Sequence, residues 1–304
     1  MATLTGTNCT TSRLNVGMEN CQVEEGLLSG FYRLPKGTTY DLSTVTINKE
    51  WIDLEIQKGI LEPFTGCFDA IAETPDATTE ESQSGIMSVV RQGKPTITAT
   101  FKKGKAFQKI AYSSNSSDAY DYLLVYDSNV IEGVLNVTIL KGFDGGMFNT
   151  NGYSINDGTK SSSTIIKFQL KDSYEFNVQS TFITNLDFNV NTGVSGIVDV
   201  KLDGRADVSE SKIYVKPTWL HNEQFLLKGF AVANFKAYLN GTLDALTGSA
   251  VYNATTGEYA LTPTTALSTS GQSWVVKISD GTYDVVYVGS KPYKGTTEAF
   301  VPVA

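Results

Sequence analysis

One histidine in 304 residues is the first constraint on this chain. Metal centres and general bases draw heavily on histidine, so a lone His221 removes His-cluster metal sites and leaves a Ser-His-Asp triad only one possible base. No Gly-x-Ser-x-Gly elbow supplies its serine. Cysteine is nearly as scarce: Cys9, Cys21 and Cys67 are odd in number and hold no Cys-x-x-Cys pair. They predict reduced thiols rather than a disulfide framework or a zinc ribbon, with a Cys9–Cys21 bridge left open. No run approaches the ~18 apolar residues of a membrane span. Met1-Ala-Thr-Leu-Thr-Gly-Thr-Asn8 has neither a basic start nor an apolar stretch, which predicts no Sec-type leader and folding in the cytosol. Basic residues are outnumbered 24 to 32, a net charge of −8 and the wrong sign for neutralising phosphates. Neither G-x-G-x-x-G nor G-x-x-x-x-G-K-[ST] occurs.

Carboxylates are the remaining source of chemistry. Glycosidases need only two at a defined separation. Asp69 with Glu73, Glu80 with Glu81, and Asp118 with Asp121 are such pairs, and each lies in a polar stretch that predicts solvated loop acids. Asn149-Thr-Asn151-Gly152 and the series Asp199, Asp203, Asp207 offer hard oxygens for calcium without EF-hand spacing. On a strand, residues four apart lie roughly 13 Å apart, too far to share one ion. Trp51, Trp219 and Trp274 stand in apolar contexts that predict core. Sequons at Asn8, Asn115, Asn136, Asn240 and Asn253 are what an Asn-, Ser- and Thr-rich chain gives by chance. No catalytic, cofactor-binding or metal-ligating residue is assigned.

What is present is β sequence. Polar-apolar alternation through Val45, Ile47, Ile52, Leu54 and Ile56 predicts a strand, stopped by Lys58-Gly59. Further strands are predicted at Ile97–Phe101, Leu123–Tyr126, Val134–Leu140, Ile165–Leu170 and Ile197–Leu202. Asp144-Gly-Gly146, Asn156-Asp-Gly158 and Asp203-Gly204 predict turns between them. Helical spacing is limited to about Lys103–Ser113 and part of Asp172–Asn177. After Lys216-Pro217 the texture changes to short strands: Leu226–Phe235, Ala250–Tyr252, Tyr259–Thr262, Trp274–Ile278, Tyr283–Val288 and Phe300–Val303. Their spacing of roughly 8–12 residues is that of an immunoglobulin-like sandwich. The expected organisation is therefore all-β with minor helix: a β-sandwich or barrel over 1–215, then an Ig-like sandwich over 216–304.

Two features remain. Glu73 to Gly85 is a long polar excursion, of a kind that is functional or disordered and that, in a subunit of an assembly, orders against a neighbour. An internal echo sets Phe64–Phe68 and then Ile97, Phe101, Lys102, Phe107 against Phe143–Phe148 and then Ile166, Leu170, Lys171, Phe176. The later positions share their spacing, which fits either a duplicated half-domain or the ordinary likeness of two strand–helix units.

Trp51-Ile-Asp-Leu54, Glu73-Thr-Pro-Asp76 through Ser84-Gly-Ile86, Val89 to Pro95 leading into Thr98–Gly104, Lys141–Phe148 and Thr164–Asp172 together resemble the major tail (tail tube) proteins of phages infecting Bacteroides-like bacteria. The resemblance implies a tube-like β domain and a structural role rather than an enzymatic one. It implies homo-oligomeric rings, hexameric or, if the domain is doubled, trimeric, stacked into a virion tube and assembled in the host cytoplasm. Other virion proteins would be partners, DNA would pass without specific binding, and 216–304 would contact host-surface glycans. A capsid or head-decoration protein is the nearest alternative, then a surface adhesin, then a two-carboxylate glycosidase.

Overall fold

The computed structural model describes residues 3–5, 26–184 and 186–303; Asn8, Cys9 and Cys21 lie outside them. Among the described residues the chain is all-β with three short α-helices, and it divides into two compact units. The first holds Met1–Glu55 with Ile60–Val194, and the second holds Ile56–Gly59 with Ser195–Ala304.

The first unit is built on a hydrogen-bonded circuit. Strand β1 (Leu28–Pro35) lies between β2 (Glu62–Thr65) and β5 (Tyr120–Tyr126), antiparallel to both. At Gly66 the chain turns through φ +68° and continues as β3 (Asp69–Glu73), while Cys67 N–H donates to Ser29 and Phe68 N–H to Thr100. β3 pairs with β4 (Thr96–Phe101), β4 with β7 (Thr164–Leu170), β7 with β6 (Phe143–Thr150), and β6 returns to β5. With β2 and β3 counted as one bent strand, the circuit closes as a small barrel. Alternating positions fill it: Ile97, Ala99 and Phe101 on β4, and Ile166, Phe168 and Leu170 on β7. At the centre the Phe31 ring lies 4.5 Å from Phe168 and 4.9 Å from Phe64, with Tyr122, Phe148 and Phe101 no more than 6.4 Å away. Such ring clusters supply the largest apolar burial per residue.

The echoing segments lie about an approximate twofold. β4 and β7 are antiparallel neighbours pivoting on the Thr98–Lys167 pair, and each runs into a helix, α2 (Lys105–Ser113) or α3 (Ser173–Val178). Phe107 of α2 meets Phe64 at 6.1 Å and 66°, and Phe176 of α3 meets Phe143 at 5.6 Å and 67°. Both halves thus contribute to one barrel with one core.

Several sequence expectations need correction. The region read as a strand through Ile52–Ile56 is helix α1 (Lys49–Gln57). Buried Ile52, Glu55 and Ile56 fall at i, i+3 and i+4, Asn48 Oδ1 caps Trp51 N–H at 2.8 Å, and Gly59 at φ +72° ends the helix. Asp144-Gly-Gly146 is not a turn but lies inside β6. A Cβ on Gly145 would stand 2.1 Å from the Tyr120 carbonyl, so the glycine permits a close strand approach. Val134–Leu140 is broken by a tight turn between strands Val130–Asn136 and Ile139–Lys141.

The second unit begins about twenty residues earlier than expected. β8 (Val198–Asp207) and β9 (Lys212–Trp219) pair along their length, so Asp203-Gly204 is strand, with Gly204 making room for the Phe300 ring. Pro217 sits within β9. Its carbonyl accepts from Leu227, so its missing N–H faces the side where β9 pairs only irregularly with Asn222–Leu226. The remaining main strands are β10 (Phe235–Leu239), β11 (Thr242–Asp244), β12 (Leu246–Asn253), β13 (Glu258–Pro263), β14 (Trp274–Ile278) and β15 (Lys291–Thr297). Their order is β8-β9-β13-β12 in one half and β15-β14-β10-β11 in the other, joined by the parallel β8–β15 pair. This is the strand order of an immunoglobulin sandwich. A unit starting at 216 would lack its first strand and half of its second. Leu226–Phe235 is largely irregular, and Phe300–Val303 makes only isolated bridges while Lys291–Thr297 carries the last strand. Trp274, fully buried among Phe230, Phe235 and Tyr259, anchors the core as expected.

Candidate assembly surface

Residues 73–91 leave the barrel as an arm. The excursion expected to be a loop is half of a β-hairpin, in which Thr78–Glu81 pairs with Met87–Arg91 and, among the described residues, with no other strand. Ser82–Gly85 forms its turn, with Gly85 at φ +76°. At its base a Cβ on Gly93 would stand 1.6 Å from the Pro75 carbonyl, so only glycine lets the two limbs pinch together there. Every residue from Thr78 to Gln92 is exposed, including Ile86 (67%), Met87 (65%), Val89 (55%) and Val90 (61%). An isolated two-stranded ribbon is marginal in water, and an open strand flank carrying branched apolar side chains is what soluble proteins ordinarily avoid. The exposed apolar surface continues at the arm's root through Ile71 (51%) and Phe68, whose ring lies 3.0 Å from Lys102 Nζ.

Charge is segregated along this stretch. From Asp69 to Val90 there are five acids, Asp69, Glu73, Asp76, Glu80 and Glu81, and no base. From Arg91 to Lys109 there are six bases, Arg91, Lys94, Lys102, Lys103, Lys105 and Lys109, and no acid. None of the eleven takes part in a described ion pair. On α2, Lys105, Lys109 and Tyr112 recur at i, i+4 and i+7 and are exposed together, while Gln108 and Ala111 face inward. The segregation was readable in the sequence as a change of charge sign at 90–91. Its meaning depends on knowing that an unpaired hairpin precedes a helix.

The other residues weighed for chemistry are dispersed. Asp118 is held in ion pairs with Lys36 and Lys171, and those hydrogen bonds lower its carboxyl to about 2. Asp121 is buried and accepts from Gly37 N–H at 2.8 Å; burial pushes its pKa up. Asp203 lies 3.6 Å from Lys201, and Asp207 caps the turn at Ser209. Asp199 borders a cavity of about 310 Å³ in the second unit, with Lys277, Asp284 and Lys294. Asn149 and Asn151 bond each other and the Asn115–Thr150 region. His221 stands on the turn after β9, its ring 6.1 Å from Trp219. Trp51 is only partly buried, edge-on to Tyr40 at 4.7 Å. Among the described residues, no three His, Cys, Asp or Glu side chains group as a metal site, and no helix is long and apolar enough to cross a membrane.

Cys67 sits at the bend of the barrel strand, partly buried, with Sγ 3.3 Å from the Leu28 carbonyl. Burial, reinforced by the charge of Asp69, pushes its thiol up to about 11. The thiolate is the reactive species, so in a Cys9→Ser/Cys21→Ser variant alkylation by iodoacetamide is expected to rise about tenfold per pH unit from 7 to 10. A rate that levels off near pH 8.5 would show an unperturbed thiol.

No family model matches this chain, no curated protein matches it, and no solved structure matches it.

Proposed function

We propose that this chain is a structural subunit that assembles with copies of itself, and that the assembly is the stacked-ring tube of a phage tail. The observation that carries the reading is the arm: a hairpin that, among the described residues, pairs only with itself, is wholly exposed and carries four apolar residues at and beyond its tip. Such a ribbon gains its burial from another chain. Because both echoing segments build a single barrel, each chain supplies one barrel, which favours the hexameric ring over the trimeric one among the two that the resemblance implies. The net charge of −8 suits a conduit through which a polyanion slides, since a basic lumen would hold it in a salt-dependent way.

The test is electron microscopy of the purified full chain together with light scattering. Rings and striated hollow tubes are expected, without retention of duplex DNA at physiological salt. Trimeric capsomers or closed shells would favour a coat or decoration role. A single 33.0 kDa species at every concentration would remove the reading altogether.

A further inference from the structure

We infer that the arm docks on the exposed face of α2 of a second copy of this chain, acidic limb to lysine ridge. The inference rests on the self-assembly reading above and names the two surfaces that meet.

The arm presents an acidic and an apolar strand side by side. Glu81 lies opposite Met87 and Thr79 opposite Val89, so these four share one face, while Glu80 and Ser88 share the other. The α2 face presents the complement. Lys105 and Lys109 sit one turn apart, Lys102 precedes them, and Tyr112 continues the row with 59% of its surface exposed. Glu81 matches the lysines from the face it shares with Met87 and Val89, Glu80 adds to the acidic charge of the same limb, and the tyrosine ring offers Met87 or Val89 an apolar partner with a polar tip. Among the described residues neither surface is neutralised by its own chain, although only 24 bases stand against 32 acids overall. A chain with acids in excess that leaves a helix face of lysines unpaired holds a site for an acidic partner. The fully exposed acidic ribbon of the same sequence is a partner of that chemistry, present at equal concentration. The two surfaces differ, so the contact is head-to-tail, the type that closes into rings or continues as a stack.

The inference is tested with two charge-reversed full-length chains, one carrying Glu80→Lys/Glu81→Lys and the other Lys105→Glu/Lys109→Glu. Sedimentation velocity at ~50 mM salt gives the assembly state of each, and circular dichroism confirms that both fold. Each variant alone is expected to associate at least tenfold more weakly than the unmodified chain. An equimolar mixture should recover assembly, because the reversed arm of one chain then meets the reversed helix of the other. Recovery on mixing also excludes docking within one chain. Assembly should weaken as salt rises toward 0.5 M, as screening of exposed charges requires. Variants that assemble like the unmodified chain, or a mixture that stays dissociated, would overturn the α2 contact while leaving self-assembly intact. An unmodified chain that never associates would overturn both.

Discussion

Replacement of Arg33 by alanine is expected to lower the stability of the barrel unit by about 2–4 kcal/mol, through the ring stacking and hydrogen bonds of a buried guanidinium whose partner, Glu62, is itself 41% exposed. Arg33 is 3% exposed on β1, and its guanidinium carbon lies 4.0 Å from the Tyr120 ring centroid, 4.9 Å from Phe148 and 5.2 Å from Phe64. Nε donates to Glu62 Oε2 at 2.8 Å, a terminal nitrogen reaches the same oxygen, and the other donates to the Ser114 carbonyl at 3.3 Å. The residue therefore ties β1, β2, the end of α2 and two core rings together through one planar group. Lysine cannot reproduce this, because a point charge gains neither the paired hydrogen bonds nor the stacking, so Arg33→Lys should recover less than half of the loss. Arg33→Met with Glu62→Gln refills the buried volume and removes the charge at both ends, and should recover about half of it. Calorimetry of the full chain reads the effect as a fall on the order of 10 °C in the barrel transition. The sandwich transition should stay in place. A fall under about 2 °C for Arg33→Ala would show that this arginine merely covers the barrel end.

The strands with unbroken alternation were legible without coordinates. β4, β7 and β14 fall within a residue or two of their expected bounds, because period-2 alternation over a half-buried sheet leaves little freedom. α1 was misread because Ile52, Leu54 and Ile56 satisfy period 2 while Ile52, Glu55 and Ile56 satisfy a helical period. A buried glutamate, hydrogen-bonded to Tyr40 at 3.0 Å, hid the helical pattern. The boundary failed on Pro217, which breaks a strand only where its N–H is needed. Closure of the barrel, which turns the echo of Phe64 with Phe107 and Phe143 with Phe176 into a local twofold, depends on long-range pairing that spacing cannot reveal. The assembly surface was half legible. A thirteen-residue polar stretch announced an excursion, but it gave no sign that the second limb carries the apolar residues.

The glycines separate two physical demands that look identical in sequence, and this separation yields the second large effect. Gly66 and Gly145 both mark bends where one barrel strand passes from one partner to the next. Gly66 takes a left-handed φ of +68° with nothing within 4 Å of an added Cβ, so its requirement is conformational. Alanine there should cost about 1–2 kcal/mol, and asparagine less, since asparagine tolerates that region. Gly145 needs no unusual φ, but an added Cβ would lie 2.1 Å from the Tyr120 carbonyl and 2.3 Å from the Tyr122 ring. Both neighbours are fixed, one as main chain and the other 1% exposed in the core, so β5 and β6 must separate. Overpacking of this kind costs about 3 kcal/mol or somewhat more, and asparagine should be no better than alanine. For a unit of this size the two alanine variants should melt roughly 2–8 °C and 6–12 °C below the unmodified chain, respectively. Asparagine should rescue only the first. If Gly145→Ala proved as mild as Gly66→Ala, the close packing of β6 on β5, and with it the closed barrel, would have to be redrawn.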